Sequence, residues 1–177
     1  MNEYLPGYSE GIERTKDFKY SGGRLTGSEI IKQIELGNIV ITPFNKQAIN
    51  PNSYNVTLNK SLLTYADKVI DFKKQNPTKK IIIPSTGYTL RPGTLYLGRT
   101  NEYCTTDKFI PEISGRSSIG RLGIEIHATA GFGDIGFKGT WTLEITVAMP
   151  VIVYPDIEFG QLSFITPYGD TDILYEG

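Results

Sequence analysis

Residues 111–144, PEISGRSSIGRLGIEIHATAGFGDIGFKGTWTLE, crowd cations, hydroxyls, glycines and carboxylates into one short stretch. Arg116, Ser117, Ser118 and Arg121 offer planar guanidinium forks and hydroxyl donors, groups matched to phosphate oxygens. Asp134 and Glu144 can activate water or accept hydrogen bonds from a sugar and a base. The combination suits a phosphorylated ligand, with binding and chemistry sharing one segment. Each carboxylate also has a structural reading: Asp134 as a turn residue between glycines, Glu144 as an outward position of the strand-like run WTLEI.

Other chemistries are narrowed by what the chain lacks. The lone Cys104 cannot form an internal disulfide, and with the lone His127 it cannot supply a three-ligand zinc site of the usual kind. Cys104 sits in the alternating run LYLGRTNEYCTT and reads as a packed thiol. His127 alternates with Ile124 and Ile126, which predicts a hydrogen-bonded strand histidine rather than a general base. Trp141 reads as core. A net charge of −1, from 18 basic and 19 acidic residues, leaves no global field to attract nucleic acid or an anionic membrane, so an anion site must be local. A nucleotide fits that balance better than a polynucleotide. No segment approaches the ~20 apolar residues of a membrane span, and MNEYLPGYSEGIERTKD lacks the regions of a signal peptide, so a cytoplasmic location is expected.

The elements that must position these groups follow from punctuation. Residues 1–23 are polar, tyrosine-bearing and end in Ser21, Gly22 and Gly23, which predicts an extended arm; residues 24–177 then form a single domain. TGSEIIKQIELGN, from Thr26, carries a capping signal, Ile30, Ile31 and Ile34 on one face, and Gly37 as a stop. Downstream, IVITPF, YNVTL, SLLTYA, KKIIIPS, YTLRPGTLYLG, GIEIHATA, WTLEITVAM, PVIVYP and GQLSFITP are short runs rich in Ile, Val, Thr and Tyr, separated by Gly, Pro and Asn. This spacing predicts a sandwich, barrel or jelly roll, and no βαβ rhythm supports a doubly wound sheet.

Ser114 to Gly123, SGRSSIGRLG, resembles the phosphate-binding motif shared by deoxyuridine triphosphatases (dUTPases) and deoxycytidine triphosphate deaminases. PFNKQAINPNSYNVTL (43–58), GRTNEY (98–103), HATAGFGDIGFKGTWTLEI (127–145) and FGQLSF (159–164) follow that superfamily's order across roughly residues 25–165. The resemblance implies a mainly β, dUTPase-like antiparallel barrel or jelly roll with a short N-terminal helix. It also implies a homotrimer with sites between subunits, dCTP or dUTP as substrate, Mg2+ presented with the triphosphate and held through it and water, and dTTP as an inhibitor.

The residue roles come from the same resemblance. Glu144, within TLE, matches the position that marks the deaminases and their bifunctional, dUMP-forming relatives, where it acts as base and then acid. Ser117, Arg121 and the Ala130 carbonyl match groups that position the attacking water. Arg116 and Ser118 match phosphate contacts, and Asp134 matches the aspartate that contacts the sugar 3′-hydroxyl and helps activate water at the α-phosphorus. Gln161 matches a contact to phosphates or neighbouring backbone. Ala130-Gly131-Phe132 fits the bifunctional pattern, the small Gly131 leaving room for the second water, although a turn needing positive φ explains a glycine equally well. Two departures carry expectations: Asn55, where relatives carry aspartate, should weaken metal affinity, and Gly133, where an apolar residue is usual, should loosen the turn aiming Asp134. A deaminase that stops at dUTP and a catalytically silent nucleotide-binding module are the competing readings.

Overall fold

The computed structural model describes residues 22–176. Of the expected arm, residues 1–21 fall outside the described residues, and Gly23 belongs instead to a strand. The chain order is β1 (Gly23–Arg24), α1 (Gly27–Glu35), β2 (Val40–Thr42), β3 (Tyr54–Thr57), β4 (Ser61–Tyr65), β5 (Thr78–Ile82), β6 (Tyr88–Leu90) and β7 (Tyr96–Thr105). It continues through β8 (Ile110–Gly115), α2 (Ser117–Gly120), β9 (Ile124–Glu125), β10 (Lys138–Val147), β11 (Val151–Val153) and β12 (Glu158–Thr166). Helix α1 starts where its cap predicts, the Thr26 hydroxyl accepting from the Glu29 N–H at 3.3 Å, and Gly37 at φ 74° follows its end. Ile30 is fully buried, while Ile31 and Ile34 are half-buried.

Every strand pairing is antiparallel. The long strands β7 and β12 organise the two larger sheets. One edge of β7 takes β10; the other is shared by β4 at Tyr96–Leu97 and β2 at Tyr103–Thr105. One edge of β12 takes β8; the other is shared by β3 and β1. Of the expected barrel or jelly roll, the mainly antiparallel β architecture is present and a closed barrel is not seen: among the described residues the strands form sheets of four, six and two strands whose ladders branch. Short strands sharing an edge fill it piecewise and leave no continuous edge to complete a cylinder.

Alternation on β10 decides what reaches the surface. Trp141, Leu143, Ile145 and Val147 are buried, while Thr142, Glu144 and Thr146 face the other way. The inward set joins Val56, Leu58, Leu62, Ile113, Leu162 and Phe164 in one core, each large side chain stabilising the fold by roughly 1.5–3 kcal/mol. This anchorage holds Glu144 on a rigid strand. Between Thr140 and Thr142 the β7 ladder is irregular, and the Trp141 N–H bonds the Thr100 hydroxyl at 3.0 Å instead of a β7 carbonyl.

Two expectations were incomplete. PEISG, hidden by its polar and proline residues, forms β8, whose pairing with β12 covers Ile110 to Gly115. GIEIHATA pairs only at Ile124–Glu125, after which the chain leaves the ladder, so His127 lies outside any strand.

Candidate active site

β8 runs directly into the cation and hydroxyl turn. Gly115 ends the strand, Arg116 takes the extended N-cap conformation, and Ser117 and Ser118 open the single turn α2 with both side chains exposed. Arg121 closes it, exposed, at the C-cap. Ile119 is buried and pins the turn to the core. The Arg116 guanidinium is engaged: Nη1 lies 2.5 Å from Glu158 Oε2 and donates to the Glu158 carbonyl at 3.4 Å. Glu158 had no signal beyond being a charged residue opening an apolar run.

Residues 126–136 run back past β8, stitched down by backbone. The Ile113 N–H donates to the Gly131 carbonyl at 2.6 Å, the Gly133 N–H to the Pro111 carbonyl at 2.8 Å, and Glu112 and Phe132 form an isolated bridge. Gly131 is required by space, since it is absent from the positive-φ positions and a Cβ there would lie 2.6 Å from both the His127 ring and the Ile113 carbonyl. That removes the positive-φ explanation. The His127 Nδ1 is buried without a hydrogen-bond partner among the described residues, against the expectation of a bonded strand histidine.

Glu144 is half-buried beneath this segment. Its N–H donates to the Ile126 carbonyl at 2.8 Å, and its Oε2 accepts from the Ala128 N–H at 3.2 Å. A carboxylate aimed by a main-chain donor keeps its second oxygen for a proton or water. Ala130 is exposed two residues beyond that donor. Ala128 was not foreseen, because a backbone N–H carries no residue-type signal.

Asp134 is exposed and lines a cavity of about 450 Å³ with Ile110, Phe132, Gly133, Ile135 and Ile173–Tyr175. The last segment is tied in by the Tyr175 N–H, which donates to the Ile135 carbonyl at 2.8 Å. Gln161 lines a different, polar cavity of about 240 Å³ with Ser114, Ser53 and Arg24 among its walls. It accepts from the Ser53 hydroxyl at 3.0 Å and donates to the Gly115 carbonyl at 3.3 Å, bracing the start of the turn. Asn55 is buried, its amide oxygen accepting from Asn50 at 2.7 Å. Within one chain, neither of these two cavities is lined by Glu144, Ser117 or Arg121.

Perturbed titrations fall in the core. Burial pushes the Cys104 thiol up to about 12. Burial also raises the Tyr54 phenol, against a hydrogen bond from the Asn45 backbone and with a further push from the Glu102 charge.

An antiparallel β scaffold that carries an exposed serine and arginine turn and a strand-borne carboxylate offers groups suited to nucleotide phosphates and to proton transfer. The chain belongs to the dCTP deaminase-like family, whose profile matches residues 24–166. It is 52% identical over 153 residues to the dUMP-forming dCTP deaminase of Clostridium beijerinckii, covering 86% of this chain and 88% of that one. It is 56% identical over 140 residues to the enzyme of the same name from Clostridium acetobutylicum, covering 79% and 81%, and 49% identical over 146 residues to that of Leptospira biflexa, covering 82% and 83%. The crystal structure of 2'-deoxycytidine 5'-triphosphate deaminase from Agrobacterium tumefaciens shares the fold, with a TM-score of 0.66 at 17% identity. The match covers 82% of this chain, which spans 49% of that one.

Proposed function

We propose that the protein is a hydrolase, a dUMP-forming dCTP deaminase that converts dCTP and two waters to dUMP, pyrophosphate and ammonia. Family membership and about half identity to relatives of that name support the reading. The observation that carries it is Glu144, half-buried on β10, oriented by the Ala128 N–H and with no bond at its second oxygen among the described residues. In the first half-reaction Glu144 takes the proton of a water that attacks C4 of cytosine, then returns it toward the ring nitrogen and departing ammonia. Ser117, Arg121 and the Ala130 carbonyl hold that water. In the second, Asp134 helps a further water attack the α-phosphorus; its oxygen bonds phosphorus as the bridging bond to the β-phosphate breaks and pyrophosphate leaves.

Arg116, Ser118 and Gln161 hold the phosphates, and Gly131 lets the segment that bears the Ala130 carbonyl lie against the His127 ring. Mg2+ would be held by the triphosphate and water rather than by a protein cage. When bound it disperses negative charge on the phosphates. The separation of Asp134 and Gln161 into different cavities supports a homotrimer in which one copy completes another's site. dTTP, with the same sugar and phosphates, is the expected inhibitor. No helix among the described residues is long and apolar enough to cross a membrane, and a cytoplasmic location accompanies the reading.

The test is incubation with dCTP and Mg2+, with chromatography of the nucleotides and separate assays for ammonia and pyrophosphate. Equal yields of dUMP, ammonia and pyrophosphate are expected. Accumulating dUTP points to a deaminase without the second activity, and tight binding without turnover points to a silent module.

A further inference from the structure

We infer that Trp141 is a positioning residue for Asp134: its indole packs against the bare α-carbon of Gly133, and this pair aims the turn for pyrophosphate release while leaving ammonia release untouched. The inference rests on the proposed role of Asp134. Its first support is the closeness of the contact. A Cβ built on Gly133 would lie 2.4 Å from Trp141 Cη2, 3.1 Å from the Pro111 carbonyl and 3.2 Å from Pro111 Cγ. No side chain fits between ring and backbone. The expected loosening by Gly133 is therefore reversed: the missing side chain lets the turn settle onto the ring, where the Gly133 N–H holds the Pro111 carbonyl.

The far side of the turn is bound to the same ring. The Phe137 N–H donates to the Asp134 carbonyl at 3.2 Å, and the Phe137 ring stands 5.0 Å from the indole at 48°. Asp134 is thus bracketed by two residues that both rest on Trp141. The Trp141 backbone that carries the indole is itself fixed, since its N–H bonds the Thr100 hydroxyl, which donates to the Glu102 carbonyl at 2.8 Å.

A second observation marks the ring as more than filling. Trp141 is 6% exposed, and its Nε1 has no hydrogen-bond partner among the described residues. A buried indole N–H without an acceptor is unfavourable, so the ring's placement follows from its packing against the turn. Glu144 escapes this coupling because it faces the opposite side of β10, and its contacts run to Ile126 and Ala128.

Three variants test the pair: Gly133→Ala, Trp141→Phe and the double variant, each assayed for pyrophosphate from dUTP and ammonia from dCTP beside wild type. Gly133→Ala should lower kcat for pyrophosphate release by about tenfold or more, as a displacement of an ångström can, with ammonia release within about threefold. Phenylalanine lacks the outer ring atoms that the new methyl would strike, so the double variant should recover pyrophosphate release. Trp141 is the sole tryptophan, so its emission in Gly133→Ala should shift from the wild-type value without ligand. Unchanged pyrophosphate release in Gly133→Ala, an equal fall in both activities, or no recovery in the double variant overturns the inference. A wild-type protein inert toward dUTP overturns the role of Asp134 and this inference with it, and is recognised in the wild-type arm alone.

Discussion

Glu144→Gln separates catalysis from folding because the structure makes the two costs unequal. The substituted amide has the same shape, and its carbonyl oxygen can still accept from the Ala128 N–H, the one side-chain bond Glu144 makes among the described residues. The main-chain bond to Ile126 is unaffected. What weakens is one bond of 3.2 Å to a half-buried group, a stability loss below about 1 kcal/mol, or about 2–4 °C in Tm for a chain of this size. Removing a general acid and base instead lowers rate by about 10²–10⁴-fold, which corresponds to ~2.7–5.5 kcal/mol in the barrier. The assay is steady-state ammonia release from dCTP, with kcat and KM taken separately, alongside a thermal melt. The expected result is a collapse of kcat, KM within about threefold and a nearly native melt, with pyrophosphate release from dUTP retained. A kcat within tenfold of wild type would refute the assignment. A drop in Tm well beyond 4 °C would refute the reasoning that geometry survives the substitution.

Arg116 and Glu158 form a pair exposed enough (28% and 42%) that their attraction is worth only about 0.2–1 kcal/mol. Glu158→Gln should leave Tm within a few degrees and lower KM for dCTP up to about fivefold at low salt by releasing Arg116 to phosphate; a raised KM would show that Glu158 orients the guanidinium instead. For Cys104, burial raises the thiol from 9.0 to about 12, so the native state holds its proton where the unfolded chain has lost it. That contribution to stability is complete below about 9 and is lost as pH rises toward 12. Denaturant melts of wild type and Cys104→Ala at pH 8 and pH 10.5 should show a smaller pH-linked loss in the variant, and a thiol reagent at pH 8 should label wild type only after unfolding.

How much of this was legible in the sequence depended on where the signal lay. The Thr26 cap and the apolar alternation of β7 and β10 are local patterns, and each produced its element where expected. β8 was not legible, because PEISG has neither clean alternation nor β-branched density, and only its pairing with β12 makes it a strand. The sheet arrangement was not legible for a related reason: whether ladders close or branch depends on which short strands share an edge, a non-local fact. In the site, side-chain chemistry pointed to the Arg116 to Arg121 turn and to Asp134 and Glu144. Their neighbours, the Ala128 N–H at Glu144, the Glu158 carboxylate at Arg116 and the Trp141 ring against Gly133, required coordinates.

The segment joining the cation turn to β10 is fastened almost wholly by main-chain groups, at Ile126, Ala128, Gly131, Gly133 and Gly136. Peptide groups are common to every residue type, so its course is insulated from most changes in the side chains it carries. Substitutions at Thr129, Phe132 or Ile135 can retune what the segment offers a ligand without moving its path. Drift is therefore cheap across this stretch and expensive at its glycines, Gly131 and Gly133 for want of space and Gly136 for its positive φ, an uneven tolerance that lets one backbone host a range of selectivities.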